Sequence, residues 1–255
     1  MTLAEAAGVA EATFWHSVAV FLRVGAAMAV LPAFGSQSVP LRIRAVAAIA
    51  FTAVVAPAVP PLFAGPPDLP RLVRFLATET LAGLALGLAL RLFVLVLQTA
   101  GAIAANAISL AQLLGGAQPE PTPAIGQVLV LAGLAIAVAA GLHVRLAEFL
   151  VHSYALLPAG GFPDAAAMAG WGSSQVAKAF ALAFSLAAPF LILSLLYNLT
   201  LGAISKAMPQ LMVAFVGAPV ITLGGLALFA LAAPLMLTIW HEALLAYLAD
   251  PRGTP

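Results

Sequence analysis

The sequence predicts an all-α membrane protein of long kinked helices and helical hairpins, with about six apolar helical segments. Three observations lead there. Of the 255 residues, 64% are hydrophobic and only 7% charged, with a mean hydropathy of +1.12; a soluble domain carries about 25% charged residues. The apolar blocks reach or exceed the roughly 20 residues that cross the hydrocarbon core. Gly/Pro clusters and short polar stretches separate them, as helix ends require. The net charge of +1 gives no case for nucleic acid or an acidic partner. With no cysteine there are no disulfides or thiolate metal sites. The first basic residue is Arg23, after Glu5 and Glu11. The positive start of a signal peptide is therefore missing, and the first apolar segment is expected to be retained.

Taken in order, the first span covers residues 13–31, contains Arg23 and ends at Pro32-Ala33-Phe34-Gly35. A polar connector supplies Pro40, Arg42 and Arg44. The second span, residues 45–63, runs into a loop containing Pro57, Pro60, Pro61, Pro66, Pro67 and Pro70. Arg71 and Arg74 open a block at residues 72–114, which as one helix would measure about 64 Å, twice the bilayer core. It is expected to break, tilt strongly or leave the membrane. Within it Gly83 and Gly87 form a GxxxG pattern, weak evidence of helix contact in so Gly- and Ala-rich a chain. Residues 124–142 form a further span, followed by an amphipathic stretch and an exposed connector at 158–174. Two long blocks, 176–204 and 208–240, meet at Ser205 to Gln210 as a helical hairpin. Pro189, Pro219 and Pro234 inside them should produce kinks. Arginines flank both of the first two loops, so the positive-inside rule sets no orientation.

Residues 98–126 organise the chain. They carry Gln98, Asn106, Ser109, Gln112 and Gln118 among small residues, then Leu113, Leu114, Gly115, Gly116, Pro119, Pro121 and Pro123. Amides hydrogen-bond across helices in lipid, and irregular backbone at membrane depth is tolerated only against protein or a water-filled cavity. One reading is a segment lining or closing a passage; the other is a solvent-exposed turn between two spans.

Arg23 is the most informative single residue, because a charge near the centre of a span costs roughly 2.5–3.5 kcal/mol. It is expected to face another helix or subunit, with Glu79 and Glu148 as candidate partners; the alternative is snorkelling at a shifted boundary. Arg91 poses the same problem. Arg145, Glu148 and His152 share a helical face and read as a polar network rather than a metal site. His16 and His241 read as interfacial. No nucleophile–base pair, phosphate loop or metal motif occurs. No enzyme activity, cofactor or metal is therefore expected.

Several stretches together resemble the FliR family of type III secretion export-gate proteins. They are Arg23, Leu31 to Gly35, Val39-Pro40, Arg44, Gln98 to Gly101, the loop Pro119 to Pro123, Gly141-Leu142-His143 and Ser153-Tyr154 with Pro158. They continue through Ala188-Pro189, Asn198, Leu201-Gly202 and Ala207 to Val213, in an order and spacing that cover essentially the whole chain. Where many similar members carry Gln-x-Gly, Asn106-Ala107-Ile108-Ser109 stands here.

The resemblance implies a noncatalytic subunit of the flagellar export gate in the bacterial inner membrane. Its implied partners are FliP-like, FliQ-like and FlhB-like proteins in a multi-subunit helical assembly, and unfolded flagellar proteins are its implied cargo. It divides the single 1–255 integral-membrane domain into a FliP-like part, 1–175, and a FliQ-like hairpin, 176–255. It places a plug or constriction at Asn106, Leu113, Leu114, Gly115, Gly116, Pro119 and Pro121. Helix or subunit contacts are expected at Arg23, Pro32, Gly35, Pro40, Arg44, Glu148, Pro209 and Gln210. The alternatives are an injectisome-type gate subunit and a stand-alone secondary transporter with a midplane site.

Overall fold

A computed structural model describes residues 2–31, 40–63, 65–108, 124–208 and 213–252. Among them the chain forms seven α-helices and no strand. Helix α1 (Leu3–Val30) begins at a capping box: the Glu5 amide donates to Thr2 Oγ1, and the Thr2 amide donates to Glu5 Oε2 at 2.7 Å. That reciprocal cap satisfies two orphan donors and starts the helix ten residues before the apolar run. Pro40 opens α2 (Leu41–Val55), which ends in a 3-10 turn, Ala56–Ala58, at the first loop proline. Pro70 sits in the first turn of α3 (Leu69–Ile108), where its missing N–H costs nothing. Helices α4 (Ala124–Ala139) and α5 (Leu142–Leu156) are divided at Gly141, whose φ of +83° lies in the left-handed region that disfavours other residues. Helices α6 (Ala165–Ala207) and α7 (Val213–Ala249) follow.

Two expectations change and a third narrows. Of the three outcomes expected for the third block, a break is absent over the described residues: α3 is continuous for 40 residues, about 60 Å. A Leu- and Ala-rich run without an internal proline has no local reason to stop. The connector expected at 158–174 is mostly helix, because Asp164 Oδ2 accepts from the Ala167 amide and starts α6 at Ala165. Ser205 and Lys206 belong to the end of α6 rather than to the hairpin tip. Pro189 lies inside α6, and Pro219 and Pro234 lie inside α7. The expected boundary at residue 175 falls within α6.

Among the described residues, five helices are long and apolar enough to cross a membrane: α1, α2 with its 3-10 turn, α3, α6 and α7. The bent pair α4–α5 is a sixth candidate.

The chain packs as two units. One comprises Met1–Leu92, Val138–Val176 and Tyr247–Pro255. Its centre includes Ala19, Phe63 and Phe75, with Trp15, Leu62 and Ala159 against them. Gly83 and Gly87 do form a helix contact. A Cβ on either would collide with the α1 backbone, at Arg23 O and Ala27 O respectively.

The other unit comprises Phe93–Ala137 and Ala177–Ala246. Here α3 and α4 run antiparallel: Gly101 lies against Gly126, while Leu97 reaches Gly133. Helix α7 also runs antiparallel to α3. Ile108 meets Gly225, and fifteen residues along each helix the Trp240 Nε1–H donates to Phe93 O at 2.7 Å. Trp240 is fully buried, so this bond satisfies an indole that would otherwise be desolvated without a partner.

Gly101→Leu should force α3 from α4, with an overpacking cost of about 1–3 kcal/mol or more. The check is thermal unfolding in detergent monitored by size-exclusion chromatography. Gly8→Ala, where nothing lies within 4 Å of the added carbon, should instead raise the unfolding temperature slightly, because alanine is the better helix former.

Candidate functional site

The most heavily constrained site in the first unit begins with Arg23 on α1 and Glu79 on α3, which are 1% and 0% exposed. Arg23 Nε donates to Glu79 Oε2 at 2.8 Å. Its Nη1 donates to Ser153 Oγ on α5 at 3.2 Å, and its Nη2 donates to Leu157 O at 2.8 Å. The guanidinium lies 3.8 Å from the centroid of the Tyr154 ring. Ser153 can accept from Arg23 because its own hydroxyl proton goes to Leu150 O at 2.6 Å. Glu79 Oε1 accepts from the Gly160 amide at 3.0 Å. Both carboxylate oxygens and all three guanidinium nitrogens thus have partners, the condition under which a buried ion pair is tolerated.

Local sequence explains the geometry. Phe75, Glu79, Gly83 and Gly87 recur every four residues, one stripe of α3. Arg23 and Ala27 have the same spacing on α1. The two glycines bring the backbones close enough for the short Glu79 side chain to reach Arg23. Gly160 has φ +68°, and the Phe75 ring occupies the space where its side chain would be, 2.7 Å away. Only glycine fits there. Its carbonyl accepts from Arg74 Nε at 2.6 Å.

His16 is a buried clip rather than an interfacial residue. Its Nδ1 accepts from the Leu62 amide at 3.3 Å, which leaves Nε2–H to donate to Ala56 O at 2.8 Å. It thereby ties α1 to the start and the middle of the proline-rich connection. His241 is half-buried.

The expected network of Arg145, Glu148 and His152 does not form among the described residues. All three are exposed, and His152 Nδ1 donates to the backbone oxygen of Glu148 at 2.8 Å, four residues back. Glu148 and Ser153 lie five positions apart, on different faces of α5, and the face carrying Ser153 is the buried one. Pro40 is an exposed helix cap, and Arg44 is half-buried in the first turn of α2. Asn106 is exposed in the last turn of α3. Leu113, Leu114, Gly115, Gly116, Pro119, Pro121, Pro32, Gly35, Pro209 and Gln210 lie outside the described residues.

The sequence does not single out Ser153, Tyr154 or Leu157 O as partners of Arg23, nor Gly160 as a partner of Glu79. A positive-φ glycine following Pro158 was the available signal, but a sequence separation of more than 130 residues hides the pairing. In the second unit, Gln98, Thr99, Gly126 and Gln127 line a cavity of about 500 Å³ between α3 and α4. This places amide and hydroxyl groups beside the first turn of α4, which follows residues 109–123. No group of three or more His, Cys, Asp or Glu suited to a metal occurs among the described residues.

Known proteins share this arrangement of sequence. The model of the family described as Bacterial export proteins, family 1, matches residues 14–246. The flagellar biosynthetic protein FliR of Caulobacter vibrioides is 34% identical over 229 residues, 88% of this chain and 90% of its own. That of Escherichia coli K12 is 29% identical over 88% of this chain and 84% of its own. That of Bacillus subtilis 168 is 27% identical over 78% and 79%.

Arg23→Met should lower stability by about 3–5 kcal/mol, because Glu79 is left buried and unpaired. Pairing it with Glu79→Leu should restore much of the loss. Unfolding temperatures of the two single variants and the double variant measure the coupling; additive losses would contradict it.

Proposed function

The chain belongs to the bacterial export proteins of family 1, and on that premise we propose that it is a noncatalytic subunit of the flagellar type III protein export gate. The observation that carries the reading is the similarity to a flagellar relative over nine-tenths of that relative's length. All three relatives carry a flagellar name, which favours a flagellar over an injectisome-type gate.

Its place is the bacterial inner membrane, within the flagellar basal body. FliP-like, FliQ-like and FlhB-like proteins surround it there, and unfolded flagellar proteins are its cargo. Residues 1–175 serve as the FliP-like part and 176–255 as the FliQ-like hairpin. In support of the hairpin, Phe190 of α6 meets Phe229 of α7, with ring centroids 6.5 Å apart. Towards the open ends of the same two helices, Trp171 Nε1 donates to the Pro251 carbonyl at 3.1 Å. The exposed apolar residues on α6 and α7, among them Phe180, Leu195, Leu223 and Leu231, suit burial against other subunits or lipid.

The plug comprises Leu113, Leu114, Gly115, Gly116, Pro119 and Pro121, with Asn106 on the helix leading into it. Two consecutive glycines supply backbone freedom, and the following prolines prevent helix continuation. The cavity lined in part by Gln98 and Gln127 lies between the helices from which this segment departs. Subunit contacts at Pro32, Gly35, Pro40, Arg44, Glu148, Pro209 and Gln210 complete the assignment.

Purification of the tagged protein from its own cells in mild detergent tests the assembly. FliP-like and FliQ-like proteins should co-purify in one large particle; a lone, stable monomer would overturn the reading. Replacing Gly115 and Gly116 by valine should alter secretion or ion leakage while leaving that particle intact. Unchanged secretion and leakage would remove the plug assignment.

A further inference from the structure

Two arginines at the start of α3 line a cavity that the buried charge cluster leaves unused. The cavity is about 610 Å³, and its wall includes Leu62, Arg71, Arg74, Phe75, Ala159 and Gly160, with two prolines. Arg71 and Arg74 are three residues apart, so they lie on one side of the helix. Arg71 Nη2 donates to Leu62 O at 3.3 Å, and Arg74 Nε donates to Gly160 O at 2.6 Å. An arginine has five N–H donors, so these single bonds orient the two guanidiniums and leave most of their donors without a partner among the described residues.

The chain's own carboxylates do not answer them there. Glu79 is taken by Arg23 and the Gly160 amide. Asp164 accepts from the Ala167 amide at the start of α6. Asp68 lies three residues before Arg71, yet no ion pair joins the two among the described residues. No carboxylate lines the cavity. Two oriented guanidiniums on one cavity wall are complementary to an anion from outside the chain. The first turn of α3 adds the partial positive charge of a helix N-terminus.

The surroundings decide the source of that anion. At 100° per residue, the exposed strip Leu69, Val73 and Leu76 lies about 160° around α3 from the two arginines. A phospholipid lying along that strip would hold its phosphate away from both guanidiniums. The arginines instead face a cavity whose remaining wall is Leu62, Phe75, Ala159, Gly160 and the prolines. A hydrated inorganic anion would leave this apolar wall uncovered. The methylenes of an acidic side chain cover it while the carboxylate meets the guanidinium forks.

We propose that Arg71 and Arg74 jointly receive a side-chain carboxylate of a neighbouring protein subunit. The inference rests on the chain being one subunit of the proposed export gate, and it adds the chemistry of one contact to that reading.

The test purifies the tagged particle in mild detergent from cells carrying R71K/R74K, which keeps both charges and supplies primary amines. A water-soluble carbodiimide joins an amine to a carboxylate only where the two are already in contact, and peptide mass spectrometry identifies the acid. The native lysines are Lys178 and Lys206 alone, so the background is small. R71K/R74K should give a cross-link from the introduced amines to an aspartate or glutamate of another protein, and wild type should give none at these positions. R71K alone leaves the bond between Arg74 and Gly160 in place, and it should give the same link even where the double variant fails to assemble. An intact particle without such a link in either variant overturns the site and leaves the export reading standing. Links only to this chain's own carboxylates, Asp68 or Glu120 among them, make the contact internal and overturn the partner. A lone monomer overturns both readings.

Discussion

The first packing unit depends on placing one arginine where water does not reach. Arg23 and Glu79 are both fully buried, so neither is tolerated without the other. Reaching each other requires α1 and α3 to approach until their backbones nearly touch, which Gly83 and Gly87 allow. The remaining donors must then be satisfied, and Ser153, Leu157 and Gly160 do so from α5 and the turn after it. Glycine packing, helix register and the left-handed backbone at Gly160 are therefore consequences of one electrostatic requirement. They would have little reason to coexist in an apolar core.

Contrasting environments divide the helices. In the most apolar stretch of α3, 44% of residues are buried within the chain, against 22% for α6 and for α7. Helix α3 is accordingly the element on which others pack, in each unit separately. Outside the faces carrying Phe190 and Trp240, helices α6 and α7 present leucine, valine and phenylalanine outward. A helix that is apolar on every side carries no internal instruction about which face turns inward. What covers it outside the chain completes that instruction.

Much of the architecture was legible in the sequence because its main signal is one-dimensional. Apolar runs and proline clusters gave the helical segments in order, and the anomaly of Arg23 pointed to Glu79 as one of two partners. The boundaries were less legible. The capping box at Thr2 and the cap at Asp164 extend α1 and α6 through residues outside the expected apolar spans. Among the outcomes open to a block longer than the bilayer is thick, α3 takes an unbroken helix over its described residues, because composition alone does not show where such a helix can run on against protein. The false network at Arg145, Glu148 and His152 has a similar cause: helical spacing shows which residues share a face, not whether that face is buried. The His16 clip was hidden because its partners are backbone atoms, which every residue offers equally.

The order in which the buried cluster becomes available carries a consequence for biosynthesis. Arg23 is made 56 residues before Glu79 and 134 before Leu157. At about 5–20 residues per second, several seconds pass with the arginine unpartnered. Through that interval α1 holds a charge costly to leave in hydrocarbon, so its final position cannot be reached as each helix emerges alone. Insertion and folding are thereby coupled. The first helix waits for the third, and the seal around its charge closes only when the fifth has been made.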